Sequence, residues 1–272
     1  MSQASSSPAG RLPSLFISHG APTFALEPGL AGPALTALGQ RLPRPQAVLV
    51  VSPHWMTRSP RVASTAQPRT VHDFGGFDPA LYRLQYPAPG APAWAARAVA
   101  LLREAGWAAE ADAQWGLDHG AWVPLMHLFP AADVPVFQVS LPARLDGAQA
   151  YAYGEALAPL AAEGVLIVGS GSLTHNLYEV RLDAPDPAAV PPAAYVQAFA
   201  DWVWATLRSG DAARLQQAMA LAPQAQRAHP TPEHWWPLVV AAGAAGATAR
   251  AERLAGGITH GVLSMDAYVF EG

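Results

Sequence analysis

Short apolar runs that end in polar residues recur along this chain and constrain its fold more than any other feature. Four such runs are typical of buried strands: residues 14–18, 46–53, 134–141 and 165–171. Segments with helical length and spacing lie at about 29–42, 91–106, 118–130 and 147–164. Strands that alternate with helices in this way indicate an α/β protein, with a largely parallel or mixed central sheet flanked by helices.

The rest of the chain predicts shorter elements. Residues 61–66 are expected to form an edge strand, and 72–90 a loop rich in Gly, Pro and aromatic residues with a short helix in it. Pro124 is expected to interrupt the helix at 118–130. Further helices are predicted at about 191–208, 211–221 and 232–243, followed by a C-terminal pair of strands. We expect residues 1–12 to be disordered. Because no linker divides the rest of the chain, we expect residues 13–272 to form one domain.

Composition excludes several classes of function. Half of the 272 residues are apolar and 13% are charged, which is enough for a large core. A net charge of −4 argues against nucleic-acid binding. The chain has no Cys and no Lys, which excludes disulfides, thiolate metal sites and a Schiff-base lysine. The N-terminus does not resemble a signal peptide and no long apolar run predicts a membrane span, so we expect a cytoplasmic protein.

Histidines follow the predicted strands at the points where they end. His19, His54 and His175 each come just after or at the end of a strand-like run, and His234 lies near the start of a predicted helix. Because the carboxyl ends of parallel strands meet at one edge of a sheet, we expect these side chains to share a site. Imidazole is both a common metal ligand and a proton carrier near neutral pH. The spacing leaves a mononuclear metal site, a general base, or both as alternatives.

The other histidines and two loops have less specific neighbourhoods. His127 is expected to be a packed or partly exposed helix residue and His260 a strand or turn residue, while His72 and His229 lie in polar loops. The loop HDFGGF (72–77) presents two aromatic faces that could cover a flat ligand, or pack on the core. In WGLDHGAW (115–122), Asp118 could orient His119 by hydrogen bonding.

Several sequence blocks together resemble one known family. They are ISHGAPTFALEPG, VSPHWMTR, HDFGGFDPALYRLQYPAPG, WGLDHGAWVPLMHLFPAADVPVFQVSL, GSGSLTHNL and PTPEHWWPLVVAAGAA, in this order along residues 13–245. The combination is similar to the 4,5-DOPA extradiol dioxygenase family, within the class III extradiol ring-cleaving dioxygenases and the superfamily of the protocatechuate 4,5-dioxygenase catalytic subunit. The resemblance implies a single α/β catalytic domain that holds one divalent metal.

The resemblance also implies roles for particular residues. His19 and His54 match two metal ligands of the family, and His234 matches a third, where distant relatives have a Glu. His175 matches a residue described as an acid–base catalyst or a further ligand, and His119 matches a second active-site histidine. We expect Trp55, Phe74 and Phe77 to contact the substrate ring. His229 and Tyr268 are two further candidates near the site.

The expected reaction is the extradiol cleavage of a catechol by O₂, with a DOPA-like substrate. Fe(II) is expected for this chemistry, whereas an all-histidine ligand set also suits Zn(II), which has no redox chemistry. One alternative is therefore a zinc hydrolase that uses the same histidines to activate water. Another is a binding protein that kept the pocket and lost the reaction. Arg58 and Arg83 are candidates for binding a substrate carboxylate.

Overall fold

The central feature of the fold is a mixed β-sheet, seen in a computed structural model that describes residues 10–181, 183–184 and 186–272. Its strands are β1 (Ser14–Ser18), β2 (Ala47–Thr57), β3 (Arg61–Ala63), β4 (Glu110–Asp112), β5 (Val136–Pro142), β6 (Val165–Gly171), β7 (Arg250–Leu254) and β10 (Ala267–Glu271). Among the described residues, they are ordered β4-β3-β5-β2-β6-β1-β10-β7. This arrangement confirms the predicted α/β class with a mixed central sheet.

The middle of the sheet is parallel. Strand β2 pairs in parallel with β5 and β6, and β6 pairs in parallel with β1. Strand β10 is antiparallel to both β1 and β7. The carboxyl ends of β2, β6 and β1 are therefore neighbours at one edge, which is the geometry that a shared site at the strand ends requires.

Helices cover both faces of the sheet. They are α1 (Ala31–Arg41), α2 (Pro92–Glu104), α3 (His119–Leu128), α4 (Gly147–Leu157), α5 (Pro159–Ala162), α6 (Ala194–Ser209), α7 (Ala212–Gln216), α8 (Ala218–Leu221), α9 (Ala225–Ala228) and α10 (Trp236–Ala245), with 3-10 turns at Pro22–Ala25, Leu81–Arg83 and Pro232–His234. Alternate residues of β2 enter two different apolar clusters: Leu49 and Val51 face one, and Val48 and Val50 face the other. This alternation follows from the two-residue period of a strand, and it explains why the central strands are apolar throughout.

Several local predictions need correction. The strand predicted at 61–66 is not at the edge, because β4 pairs with β3 on its outer side. Pro124 does not interrupt α3, which is continuous around it. The predicted C-terminal pair of strands, β7 and β10, encloses a small additional ladder between β8 (Ile258–Thr259) and β9 (Leu263–Ser264).

The predicted helices of the second half of the chain are shorter than expected. The helix at 147–164 divides at Pro159 into α4 and α5, and the segment at 211–221 divides into α7 and α8. The predicted disordered N-terminus lies outside the described residues up to residue 9. Leu12 already packs, since it is buried and its N–H donates to Ala161 O at 3.1 Å. Among the described residues, no helix combines the length and the apolar character that a membrane crossing needs.

Candidate metal centre

Three histidines reach one point from three separate elements. His19 directly follows β1, and its N–H continues the pairing with β6 by donating to Gly171 O at 2.9 Å. His54 lies in β2 where the pairing with β5 shifts register, between Ser52 and Met56. Such irregularities redirect a side chain away from the strand's regular alternation. His234 ends the 3-10 turn before α10, and its carbonyl accepts from Ser172 N at 3.0 Å, just beyond β6.

The ring nitrogens of these three residues converge. His54 Nε2 lies 3.2 Å from His19 Nε2. The ring of His234 is centred 5.4 Å from that of His19 and 5.1 Å from that of His54. One nitrogen of each ring lies within 4.8 Å of the other two, which is close enough for a single ion to contact all three.

The other nitrogen of each ring lies near a side-chain oxygen. His19 Nδ1 lies 3.0 Å from Ser170 Oγ, and His234 Nδ1 lies 3.1 Å from Glu233 Oε1. His54 Nδ1 lies 3.6 Å from Asp73 Oδ2. An acceptor beside Nδ1 favours a proton there and leaves the Nε2 lone pair for a metal. His234 Nε2 is buried without a hydrogen-bond partner among the described residues.

Burial keeps these imidazoles neutral. Loss of solvation, followed by the charges of the neighbouring histidines, holds the pKa of both His19 and His234 well below the ordinary value. The same two causes lower the pKa of His54 to about 3, although Asp73 opposes them. Neutral imidazole is the form that ligates a metal. The donor set therefore fits one divalent cation without any prior loss of protons.

Two further histidines border this cluster. The ring of His175 stacks on that of His234 with centroids 3.5 Å apart, and burial lowers the pKa of His175 to about 4. The ring of His119 lies 3.9 Å from that of His54. Both side chains are therefore next to a candidate ligand, where they could exchange protons with a molecule bound to the metal.

Asp73, not Asp118, is the acid that orients His119. Asp73 Oδ1 accepts from His119 N at 2.9 Å, and Asp73 Oδ2 lies 3.0 Å from His119 Nδ1. The second pair of atoms is close but does not meet the geometric criteria of a hydrogen bond. Burial raises the pKa of Asp73, but its contacts with His119 outweigh burial and lower the pKa overall.

Asp118 has a structural position behind the site. It is fully buried, caps α3 by accepting from Ala121 N at 3.2 Å, and accepts from Gln138 Nε2 at 2.8 Å. Burial, and then the charge of Asp73, raises the pKa of Asp118 to about 6. Because the side chain of a helix-capping residue turns back onto the helix, Asp118 does not reach the adjacent His119 ring.

Of the aromatic candidates, two lie on the loop beside His119. The ring of Phe74 meets that of His119 edge-on at 5.7 Å, and Phe77 packs on Phe74 at 5.6 Å. Both rings are half-buried, and Gly75 and Gly76 between them are exposed. A positive φ of 79° at Gly76 is readily adopted only by glycine, so the loop geometry depends on that residue.

The structure does not bring the other three candidates into contact with the cluster. Trp55 stacks on Trp115 at 4.8 Å, and Tyr268 lies between the rings of Phe16 and Trp204. Tyr268 is held there because β10 pairs with β1 opposite Phe16, before the strand reaches His19. His229 is buried against Phe199 and Trp235, and its Nε2 donates to Leu173 O at 2.9 Å. Among the described residues, none of the three forms a hydrogen bond or ring contact with the converging histidines.

The remaining histidines have structural contacts. His127 Nε2 donates to Phe24 O at 2.9 Å and its ring packs on Phe24, and His260 is a buried turn residue. His72 Nε2 donates to Leu84 O, at the base of the loop that carries Phe74. Asp73 and Ser170 were not identified from the sequence. The only available signals were an acid inside HDFGGF and a serine at the end of the β6 run.

Comparison with known proteins gives consistent results. A family model described as the catalytic LigB subunit of aromatic ring-opening dioxygenase matches residues 30–270. The 4,5-DOPA dioxygenase extradiol of Beta vulgaris is 40% identical over 259 residues, covering 94% of this chain and 95% of that protein. The protein of the same name from Escherichia coli K12 is 40% identical over 237 residues, or 86% and 85% of the two chains. A crystal structure of an uncharacterized Escherichia coli K12 protein superposes with a TM-score of 0.79 at 33% identity, covering 96% of this chain and all of the other.

Proposed function

Because this chain belongs to the family of the catalytic LigB subunit of aromatic ring-opening dioxygenases, we propose that its converging histidines hold the metal of an extradiol dioxygenase. Family membership makes the chain a metal-dependent extradiol ring-cleaving dioxygenase. It favours this activity over the zinc hydrolase and the binding protein that the residues alone left open.

The proposed ligands are His19, His54 and His234. The observation that carries this assignment is the convergence of one nitrogen from each ring within 4.8 Å, with an oxygen beside the other nitrogen of each. Such backing by outer partners is the usual arrangement around ligating histidines. Glu233 is adjacent to His234 and accepts from its Nδ1, so we assign it to orienting His234 rather than to ligation.

Fe(II) is the ion we propose for activity. Bound here, it would lower the pKa of the catechol hydroxyls and allow electrons to pass to O₂, whereas Zn(II) would fit the same donors but has no redox chemistry. The histidines themselves bind in the neutral form, since burial has already lowered their pKa values.

His175 is the proposed general base. Its ring lies against that of His234, so it can accept a proton from a hydroxyl of a substrate bound at the ligands. With a pKa lowered to about 4 by burial, His175 is neutral at pH 7 and its lone pair is available. The stacked geometry supports a base beside the metal rather than a fourth ligand, because the two rings are nearly parallel at 11°.

His119 is the proposed partner for the second proton. Asp73 lies beside its Nδ1 and binds its backbone N–H, which leaves Nε2 as the nitrogen that can exchange a proton with the substrate. The same carboxylate is near His54 Nδ1, so it connects a ligand with an acid–base residue. We propose that Asp73 keeps both rings in the orientation that the reaction needs.

The proposed substrate is a catechol that resembles DOPA. Two relatives that are 40% identical to this chain are named 4,5-DOPA dioxygenase extradiol. Phe74 supplies an aromatic face next to His119, and Phe77 supports it from the loop. A planar ring bound at the histidines would contact Phe74 by aromatic packing.

The function is tested by anaerobic reconstitution with Fe(II), followed by a panel of catechols in air. We expect a yellow ring-fission product with DOPA or a related catechol. The His19→Ala variant, treated in the same way, should give none because it lacks a ligand. A filled site that consumes no O₂ with any catechol would contradict the proposal.

A further inference from the structure

Pro124 is the sixth residue of α3, in the interior of the helix, where a proline is normally unfavourable. Proline has no N–H, so it cannot donate to the carbonyl four residues earlier, and its ring pushes that carbonyl outward. In α3 this carbonyl belongs to Gly120. Gly120 and Pro124 are both buried, so this acceptor needs a partner from elsewhere in the protein.

Ser170 is that partner. Its hydroxyl, at the carboxyl end of β6, is fully buried and donates to Gly120 O in a short hydrogen bond. The same oxygen lies 3.0 Å from His19 Nδ1. A hydroxyl has one proton, and a carbonyl can only accept. With the Ser170 proton bound to Gly120, the contact with His19 requires that His19 Nδ1 carries a hydrogen and donates it.

This requirement determines which nitrogen of His19 is free. With the proton on Nδ1, the lone pair is on Nε2, which is the atom that lies 3.2 Å from His54 Nε2. Gly120 cannot shift easily, because a side chain there would overlap Ser52 Oγ and come within 3.1 Å of His54 Cδ2. The first turn of α3 is therefore packed tightly against β2, and the Gly120 carbonyl has a fixed position.

We propose that Pro124, Gly120 and Ser170 form a relay that holds His19 in the tautomer required for metal binding. Pro124 leaves the Gly120 carbonyl free, the carbonyl orients the Ser170 hydroxyl, and the hydroxyl accepts from His19. Pro124 and Ser170 are thus positioning residues that act through His19. The inference rests on the proposed function in one respect, namely that His19 is a ligand.

Pro124→Ala separates this role from ordinary helix stability. Alanine restores an N–H that can bind the Gly120 carbonyl inside the helix, a change that normally stabilises a helix. We expect an unchanged or higher Tm together with weaker binding of Co(II), titrated into metal-free protein and followed by its visible absorption. A purely structural proline would change the Tm and leave Co(II) affinity unaltered, and that result would overturn the relay.

Ser170→Ala should have the larger effect. Removal of an outer partner of a ligating histidine typically costs about 10- to 100-fold in metal affinity, and we expect a loss in this range. Ser140→Ala is the matched control, because Ser140 is equally buried on β5, which is separated from β6 by β2, and its hydroxyl contacts Thr57 Oγ1 and Arg61 N, not a histidine. The control should retain wild-type Co(II) affinity, and an equal loss there would overturn the assignment.

A double-mutant cycle tests whether the residues act in series. In the Ser170→Ala background, Pro124→Ala should change Co(II) affinity no further, whereas independent residues would give additive losses. His19→Ala distinguishes the two levels of the proposal. If His19→Ala keeps full Co(II) affinity, the ligand assignment fails. If it loses Co(II) while Ser170→Ala does not, the relay alone fails.

The metal-free wild-type protein provides a direct readout of the His19 tautomer. Nitrogen-15 NMR of metal-free protein labelled at histidine reports which ring nitrogen carries the hydrogen, and His19 can be assigned by loss of its signal in His19→Ala. The relay predicts hydrogen on Nδ1 of His19. Hydrogen on Nε2 would overturn it.

Discussion

Asp73→Asn is the substitution that most sharply tests the link between a ligand and the acid–base histidine. The amide has the size of the carboxylate, and its oxygen can keep the hydrogen bond from His119 N that Asp73 Oδ1 now accepts at 2.9 Å. The amide NH₂ then occupies the position of Oδ2, which faces His119 Nδ1 at 3.0 Å and His54 Nδ1 at 3.6 Å. A donor thus replaces an acceptor beside both Nδ1 atoms, which favours a hydrogen on Nε2 of each ring instead of on Nδ1.

The distances predict unequal effects on binding and turnover. The contact with His54 is longer than a hydrogen bond, so we expect metal affinity to fall by about tenfold, the lower end for outer partners of a ligand. The contact with His119 is closer, and acid–base groups contribute about 100-fold or more to rate. With the metal at saturation, kcat should therefore fall by about 100-fold, while KM changes little.

The assay is O₂ uptake at saturating Fe(II) and catechol, beside a metal titration of the same preparation. Asp78→Asn is the control, since Asp78 is exposed on the same segment and its carboxylate accepts from the nearby backbone N–H of Ala80. It should keep wild-type kcat and metal affinity. Wild-type kcat for Asp73→Asn at full metal occupancy would refute the role given to Asp73.

Three other predictions concern the same site. His19→Ala should abolish stoichiometric metal binding, whereas His175→Ala should retain most of the metal and lose turnover; loss of metal in His175→Ala would make that residue a ligand. Phe74→Leu should raise KM for the catechol severalfold at unchanged metal content, because it removes the aromatic face beside His119; an unchanged KM would exclude Phe74 from the binding surface. The metal-free protein should lose stability as the pH falls below about 6.5, because each buried histidine with a lowered pKa takes up its proton more readily when the chain is unfolded. Each such histidine can lower the free energy of unfolding by up to about 1.4 kcal/mol per pH unit. A urea midpoint that is constant between pH 7 and 5 would contradict this.

The sequence predicted those parts of the site that depend on local patterns. His19 and His54 were located because each follows a run of buried apolar residues, and parallel strands that are buried on both faces have this appearance. His234 is not at a strand end, and its convergence with them was expected because it lies near the start of a helix that can abut the same edge of the sheet. His127 is a half-buried residue of α3 and His260 is a turn residue, as expected for each of them.

The parts that sequence reasoning did not find depend on distant contacts. Asp73 is 46 positions from His119, and Ser170 is 151 positions from His19, so neither pairing leaves a local pattern. Strand β4 is only three residues long and largely exposed, so it has no apolar signature. Tyr268 was a candidate near the site, but strand register puts it opposite Phe16, inside the core.

The central claim is that His19, His54 and His234 hold one ion that must be redox-active for ring cleavage. The most direct test is O₂ consumption by the same preparation loaded with Fe(II) or with Zn(II), each at one ion per chain. The Fe(II) form should consume one O₂ per catechol cleaved, and the equally occupied Zn(II) form should consume none. Catechol cleavage by the Zn(II) form at the same rate, or none by a fully loaded Fe(II) form, would contradict it.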